Sequence, residues 1–235
     1  MLKLRIMKKI VLLSVLIVIC STLKAQLTVG YSFGYATYNM GEMKDMLNSI
    51  QTTPPASTIG AKNMDDFPGN IYNSINVGYR IAKHEFGIKG EYHTTGGKLS
   101  KIDYSGSYEM KFILNGYKGS FYYRNYFYTF TSNKGKELFS LFGEIAPGVT
   151  FSQVKHTGYL IVEENTLDSE DDKFNANGIS VLLQAGFKYH LTSNIGLQVV
   201  LGYDISSGSE FKELPYSPNI NWSGVRLNGG ITYSF

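Results

Sequence analysis

The sequence predicts an all-β protein: a single eight-stranded antiparallel up-and-down barrel whose strands are long enough to cross a membrane. Three observations predict it. Eight segments alternate large apolar residues with small or polar ones at a period of two. The connections between them alternate long and short. The composition is rich in Tyr (18), Phe (14) and Gly (25), yet beyond residue 25 no apolar stretch is long enough for a membrane helix, which leaves strands as the only spanning element.

Residues 1–25 read as a cleaved leader. Lys3, Arg5, Lys8 and Lys9 precede an apolar run from Ile10 to Ile19, and a short polar stretch leads to Ala25. The run is too short for a transmembrane helix, and the expected cut falls between Ala25 and Gln26. Ile19 stands before Cys20 where a lipoprotein site calls for a small residue, so Cys20 reads as an apolar filler of the leader. The mature domain is then 26–235, with 17 basic against 19 acidic residues, a net charge of −2 rather than the +3 of the whole chain. That balance excludes nucleic acid as a partner. Without cysteine the mature domain has neither a disulfide framework nor a thiol nucleophile.

The strands follow in order. Val29, Tyr31, Phe33 and Tyr35 oppose Gly30, Ser32, Gly34 and Ala36. A long connection from about 39 to 70 holds a short helix from Gly41 to Ile50, which Pro54 and Pro55 should end. The second strand sets Ile71, Ile75, Val77, Tyr79 and Ile81 against Tyr72, Ser74, Asn76, Gly78 and Arg80. A short turn leads to the third, with Phe86, Ile88 and Tyr92 against Lys89, Glu91 and His93. Residues 94 to about 110 are rich in Gly, Ser and Lys and read as a second long connection.

The fourth strand carries Phe121, Tyr123 and Phe127 against Ser120, Tyr122, Arg124 and Tyr126. After the polar turn 132–137 comes the fifth, with Phe139, Leu141, Ile145, Val149 and Phe151 against Ser140, Glu144 and Thr150. Pro147 cannot donate to a ladder, so a bulge or bend is expected there. A third long connection spans about 155–177. The sixth and seventh strands (178–190 and 195–204) set Ile179, Val181, Leu183, Phe187, Leu197, Val199 and Leu201 on one face. A fourth connection covers about 205–221, and the last strand alternates through Leu227, Gly229, Ile231, Tyr233 and Phe235.

Arg80, Lys89, Glu91, Arg124, Glu144, Lys188 and Arg226 all fall opposite the large apolar residues. In a membrane barrel they line the interior, with Glu91 and Glu144 available as partners for the cations, since paired buried charges cost far less than lone ones. Alternation alone does not tell inside from outside, so a secreted lipocalin-like binding barrel, apolar face inward, is the soluble alternative.

At this point the chain resembles the small outer-membrane β-barrels of Gram-negative bacteria, the OmpA-like and OmpX-like superfamily, particularly those of the Bacteroidota, in which leaders ending in Ala-Gln and Tyr-rich mature chains are common. The resemblance covers nearly all of 26–235 and is one of architecture. It implies an outer-membrane location with both termini periplasmic and the long loops extracellular, lipid and the barrel-assembly machinery as partners, a monomer, and no cofactor. It also implies that Ile231, Tyr233 and Phe235, the aromatic-ended last strand, act as the assembly signal.

The function expected is non-enzymatic: a barrel that anchors extracellular loops for contact with an unidentified partner, with a small pore or ligand-transport barrel as the alternative. Eight strands enclose a space that side chains can fill. Glu163, Glu164, Asp168, Glu170, Asp171 and Asp172 form an acidic loop cluster. Hard divalent ions favour several carboxylates, but the spacing is not that of an EF-hand, and a solvated loop is the simpler reading. His84, His93, His156 and His190 have no ligand spacing, and no compact motif nominates a catalytic triad.

Overall fold

A computed structural model of the chain describes residues 25–235, apart from 105, 134, 163–164 and 209–217; the side chains of 25, 103 and 162–170 are also left out of the description below. The expected leader therefore lies outside the described residues, except for Ala25. So do Glu163 and Glu164 of the acidic cluster and the side chains of Asp168 and Glu170.

The period-two segments form one antiparallel sheet of nine strands, β1 (Ala25–Ala36), β2 (Lys62–Asp66), β3 (Asn70–Ile81), β4 (His84–Asp103), β5 (Gly106–Thr131), β6 (Glu137–Val162), β7 (Asn165–His190), β8 (Ile195–Ser206) and β9 (Gly224–Ser234). Their order is β2-β4-β3-β1-β9-β8-β7-β6-β5, and β5 pairs again with β4. Every strand except β2 is thus hydrogen-bonded to a neighbour on each side, and the ladder returns to β4.

The ninth strand is a correction to the expected eight. β3 pairs with β4 over residues 84–92, and β2 pairs with the same edge of β4 over residues 97–100. β2 therefore continues the lane of β3 after a break, which is why it adds a strand to the sheet without adding a lane.

Two of the expected long connections are not loops. β4 and β5 stay paired up to Asp103 and Gly106, and β6 and β7 up to Val162 and Asn165. Four strands, β4 to β7, consequently rise above the ends of β1, β3, β8 and β9 as a sheet extension, with β2 beside it along β4. The expected bulge at Pro147 is absent as well. Ser120↔Gly148 and Tyr123↔Ile145 share one register, the ladder to β5 merely skipping Phe121 and Tyr122, while Pro147 opposes Val181 without a shift. A residue with no N–H loses its ladder bond on one side only. The irregularities between β5 and β6 lie instead at Tyr126/Tyr128 and Phe130/Thr131.

The first connection holds helix α1 (Gly41–Thr52) and a single turn, α2 (Ala56–Ile59). α1 runs one turn's fraction beyond the expected Ile50 and stops before Pro54. Its spacing puts Met43 and Leu47 on one fully buried stripe, with Met46 and Ile50 packed beside them and the opposite face in water. Burying side chains of this size stabilises by about 1.5–3 kcal/mol each. What they are buried against is the inner side of the β4–β7 extension: Leu99, Tyr108, Phe112, Leu114, Val154 and Ala176, together with Phe67, Ile220 and Trp222. Gly97 permits this close approach, because a Cβ there would meet the Phe67 ring at 2.7 Å.

Candidate functional site: a charged interior beneath an apolar cap

The inner side of the sheet changes character along its strands. In the lower part, β4 to β7 turn Lys89, Glu91, Lys118, Arg124, Glu144 and Lys188 inward, all buried, and β8 and β9 add Asp204 and Arg226. The outward residues of the same strands are Phe86, Ile88, Phe121, Ile145, Val149 and Leu183, all exposed. In the upper extension the balance is reversed: the inward positions include the apolar set packed on α1, and the outward ones include Lys98, Glu109, Lys111, Lys155, Asp171 and Lys173, with Ile102 and Ile113 the apolar residues among them on β4 and β5.

The exchange falls on adjacent rows. Tyr92, Tyr117 and Phe151 stand side by side across β4, β5 and β6, and one step up the outward row is Thr94, Asn115, Gln153 and Asn175. Tyr92 and Tyr117 rings pack at 5.2 Å, and the Tyr92 hydroxyl donates to Asn115 Oδ1 at 2.9 Å, so the aromatic row is tied to the polar one.

The lower interior is bridged from wall to wall. Glu144 on β6 accepts from Arg124 Nε at 2.8 Å, from Gln184 at 2.7 Å and from Lys89 on β4. Glu85 accepts from the hydroxyls of Tyr122 and Tyr126 at 2.6 and 2.7 Å. Arg124 reaches Gln198 on β8, which in turn donates to Ser32 on β1. Higher up, Lys118 on β5 donates to both oxygens of Asp204 on β8 at 2.8 Å, with Glu91 at 3.7 Å, and Arg226 joins Asp204 at 3.4 Å. Low-dielectric surroundings strengthen such pairs, and each cation so held offsets the large cost of burying a carboxylate alone.

Six of the seven charged residues expected to line the interior have an oppositely charged neighbour. Arg80 is half-buried at the lower end, forked onto Glu137 with both N···O distances 3.0 Å. Lys89 and Arg124 share Glu144, Glu91 faces Lys118, and Arg226 takes Asp204 rather than Glu91 or Glu144. Lys188 is buried yet has no carboxylate within 4.0 Å among the described residues, so the expected pairing with Glu91 or Glu144 does not form. Glu85, Lys118 and Asp204 were not in the predicted set, although the period of two places each on the inward face of its strand.

Between the charged layer and the cap lies an aromatic floor. His93 stacks on Tyr72 at 5.0 Å, Tyr38 meets Trp222 edge-on at 4.9 Å, and Trp222 donates to Ser152 Oγ at 2.9 Å. Gly116 beneath it has no Cβ, where one would meet the indole at 2.9 Å. Arg226 ties the floor to the ion pairs by donating to the Trp222 and Thr37 carbonyls.

On the outer side of the extension Lys98 and Glu109 pair at 2.7 Å. Their mutual hydrogen bond raises the Lys98 ammonium above its usual value and lowers the Glu109 carboxyl. Asp171 and Asp172 are exposed, Asp171 lying 3.6 Å from Lys155. Among the described residues no group of three His, Cys, Asp or Glu could hold a metal. At the lower end Ser140 Oγ lies 3.3 Å and Glu137 3.5 Å from the same nitrogen, Nε2 of His190. A triad needs its acid on the opposite ring nitrogen.

Ile231, Tyr233 and Phe235 are exposed on the outward face of β9 and just beyond it. The Phe235 amide donates to the Leu27 carbonyl, and its ring packs edge-on against Tyr233 at 4.8 Å.

No family model matches the chain, and no curated protein matches it. Among solved structures the chain is similar to Ail, the attachment invasion locus protein of Yersinia pestis solved with the heparin analogue sucrose octasulfate (12% identity, 89% of this chain and 99% of that one, TM-score 0.42). It is similar also to the outer membrane protein OprG from Pseudomonas aeruginosa (12% identity, 90% and 95%, TM-score 0.42) and to Neisserial surface protein A (12% identity, 90% and 99%, TM-score 0.34). At these scores the likeness carries no argument about function.

Proposed function

We propose that this chain is an exported, non-enzymatic outer-membrane protein: a closed barrel of eight lanes, sealed inside by its ion pairs, that anchors the β4–β7 extension and its helix outside the cell. The observation that carries this reading is the exchange of faces along strands whose register does not shift where the exchange falls. A strand in one solvent keeps its apolar side throughout; a strand passing from hydrocarbon into water has reason to exchange it. The outward residues of β8, from Ile195 to Ile205, cover ten steps of about 3.4 Å, which at a tilt of about 40° is a band of about 26 Å, the height of an outer-membrane barrel's apolar belt.

A soluble binding barrel would turn its apolar set inward, and here the lower interior is charged. In the proposed topology both ends of the mature chain and the turns at 82–83 and 191–194 face the periplasm, residues 1–25 direct export, lipid is the surrounding partner, and Ile231, Tyr233 and Phe235 are presented to the barrel-assembly machinery. The protein acts as a monomer. Expression of the full chain in a Gram-negative host tests this. The protein should appear in the outer-membrane fraction, begin at Gln26 by mass spectrometry, and migrate faster on gels when unheated. Recovery as a soluble periplasmic protein would overturn the reading.

A further inference from the structure

Between the end of α1 and the tops of β5 and β6 lies an apolar cleft of about 450 Å³ whose walls are Met46, Ile50, Pro54, Tyr108, Met110 and Leu160. We propose that this cleft is a binding site for a small neutral aromatic molecule of one or two rings, captured from outside the cell.

The chemistry of the walls sets the ligand class. Hydroxyls at the cleft are already engaged: Ser49 Oγ donates to the Asp45 carbonyl at 2.9 Å, Thr53 Oγ1 to the Ser49 carbonyl at 2.8 Å, and Tyr159 to Glu109 at 3.3 Å. The Tyr108 hydroxyl is directed to Met110 Sδ at 4.0 Å. A ligand with charge or several polar groups would lose its hydration there without replacement bonds. Two thioethers beside a tyrosine ring and two prolines favour an aromatic guest, since sulfur–aromatic contacts are attractive and methionine side chains adapt to the shape offered. At about 30 Å³ per water-sized group, the volume holds about fifteen such groups, enough for a fused pair of rings.

Position excludes a bilayer lipid as the source. Met110 lies seven strand steps beyond the aromatic row at Tyr117, about 24 Å along β5. The cleft also leads nowhere: below it are the packed Leu47, Phe112, Leu114 and Trp222, then the bridged ion pairs. It holds its ligand and does not pass it on.

The test is methyl NMR on full-length mature protein in lipid nanodiscs, labelled at the methionine methyl groups and titrated with naphthalene. Met46 and Met110 should shift saturably, while Met64, exposed on β2 outside the cleft, should not. Gly158 faces the cleft, and a Cβ there would meet nothing closer than His156 Nε2 at 3.8 Å, so Gly158→Leu starts its side chain in ordinary contact and extends it into the space the ligand would take. It should abolish the saturable shifts while the methionine spectrum keeps its folded dispersion. Shifts that grow without saturation, that are equal at Met64, or that survive in folded Gly158→Leu overturn the proposal. The inference rests on the membrane reading only for the side from which the ligand arrives. Absent binding in a properly inserted barrel defeats the cleft alone, and intact binding in a protein that does not insert defeats the membrane reading alone.

Discussion

Lys89 and Leu99 point to the same side of β4, both buried, ten residues apart on a ladder with β5 that has no register shift. Lys89 lies on Glu144 inside a charged network, whereas Leu99 lies in the apolar cluster beneath α1. Their neighbours on the other face are reversed too: Ile88 is exposed and Lys98 is salt-bridged to Glu109 at the surface. One strand thus carries two opposite amphipathic patterns. Hydrophobic burial has no preferred direction of its own, so each half turns its apolar side to an apolar medium: a packed helix above and, in the proposed reading, lipid below.

The charged interior should be costly to break from one side. Glu144→Gln removes the charge that faces Lys89 and Arg124 and leaves both cations buried. We expect a loss of about 3–5 kcal/mol in urea unfolding from lipid vesicles. Adding Lys89→Met should return part of that loss, since Lys89 is the cation left without its carboxylate, whereas Arg124 keeps Glu85 at 3.8 Å.

Because the bridges cross the interior, purified protein in planar bilayers should show no current. Arg124→Ala or Glu144→Ala alone should not open a path, as Lys118, Asp204 and Arg226 still span the upper interior. Steady current through the unmodified protein would contradict the sealed interior and favour a pore.

The cap and the barrel should fail separately. Leu47→Ala removes a fully buried side chain from the cluster under α1, a change that costs about 2–5 kcal/mol in a packed core. It touches none of the ladders below Tyr92. Proteolysis within 41–52 should accelerate and the emission of Trp222 should shift to the red, while the unheated gel mobility of the barrel stays unchanged.

Phe235→Ala should reduce the amount of protein folded into the outer membrane. The backbone bond from residue 235 to Leu27 remains available, so the fraction that folds should unfold within about 1 kcal/mol of the parent. Normal accumulation of the variant would argue against an assembly role for this residue.

How much of this is legible in the sequence depends on whether a strand keeps one apolar face or exchanges it. β1, β3, β8 and β9 keep one apolar face from end to end, and period two finds them. In the upper halves of β4 to β7 the buried apolar residues lie on the other face, and the outward set becomes mainly polar, with Thr94, Lys98, Asn115, Lys111 and Lys155. Averaged over both faces, that stretch has the composition of a polar loop. β2 is invisible for a different reason: KNMDD has no alternation, and its place is set by the free edge of β4 beyond Tyr92.

The site follows the same logic. Parity alone marks the inward positions, and continuing it two residues below Gly87 reaches Glu85, two below Ser120 reaches Lys118, and two beyond Gly202 reaches Asp204. Partners are another matter. That Arg226 meets Asp204 and not Glu91, or that Lys188 meets no carboxylate among the described residues, follows from which lanes face one another across the interior, and no spacing within a strand encodes that.

The central claim, that the exchange of faces marks a passage from lipid into water, is tested most directly by a nitroxide scan along the outward positions of β5. Residues 26–235 contain no cysteine, so single cysteines at 109, 111, 113, 115, 117, 121 and 127 of that segment can each be spin-labelled in the protein reconstituted into lipid vesicles. The account predicts labels at 117, 121 and 127 relaxed by oxygen and shielded from a water-soluble nickel chelate, labels at 109, 111 and 113 with the reverse preference, and the crossover at 115. Nickel access at 121 and 127 equal to that at 109 would contradict it.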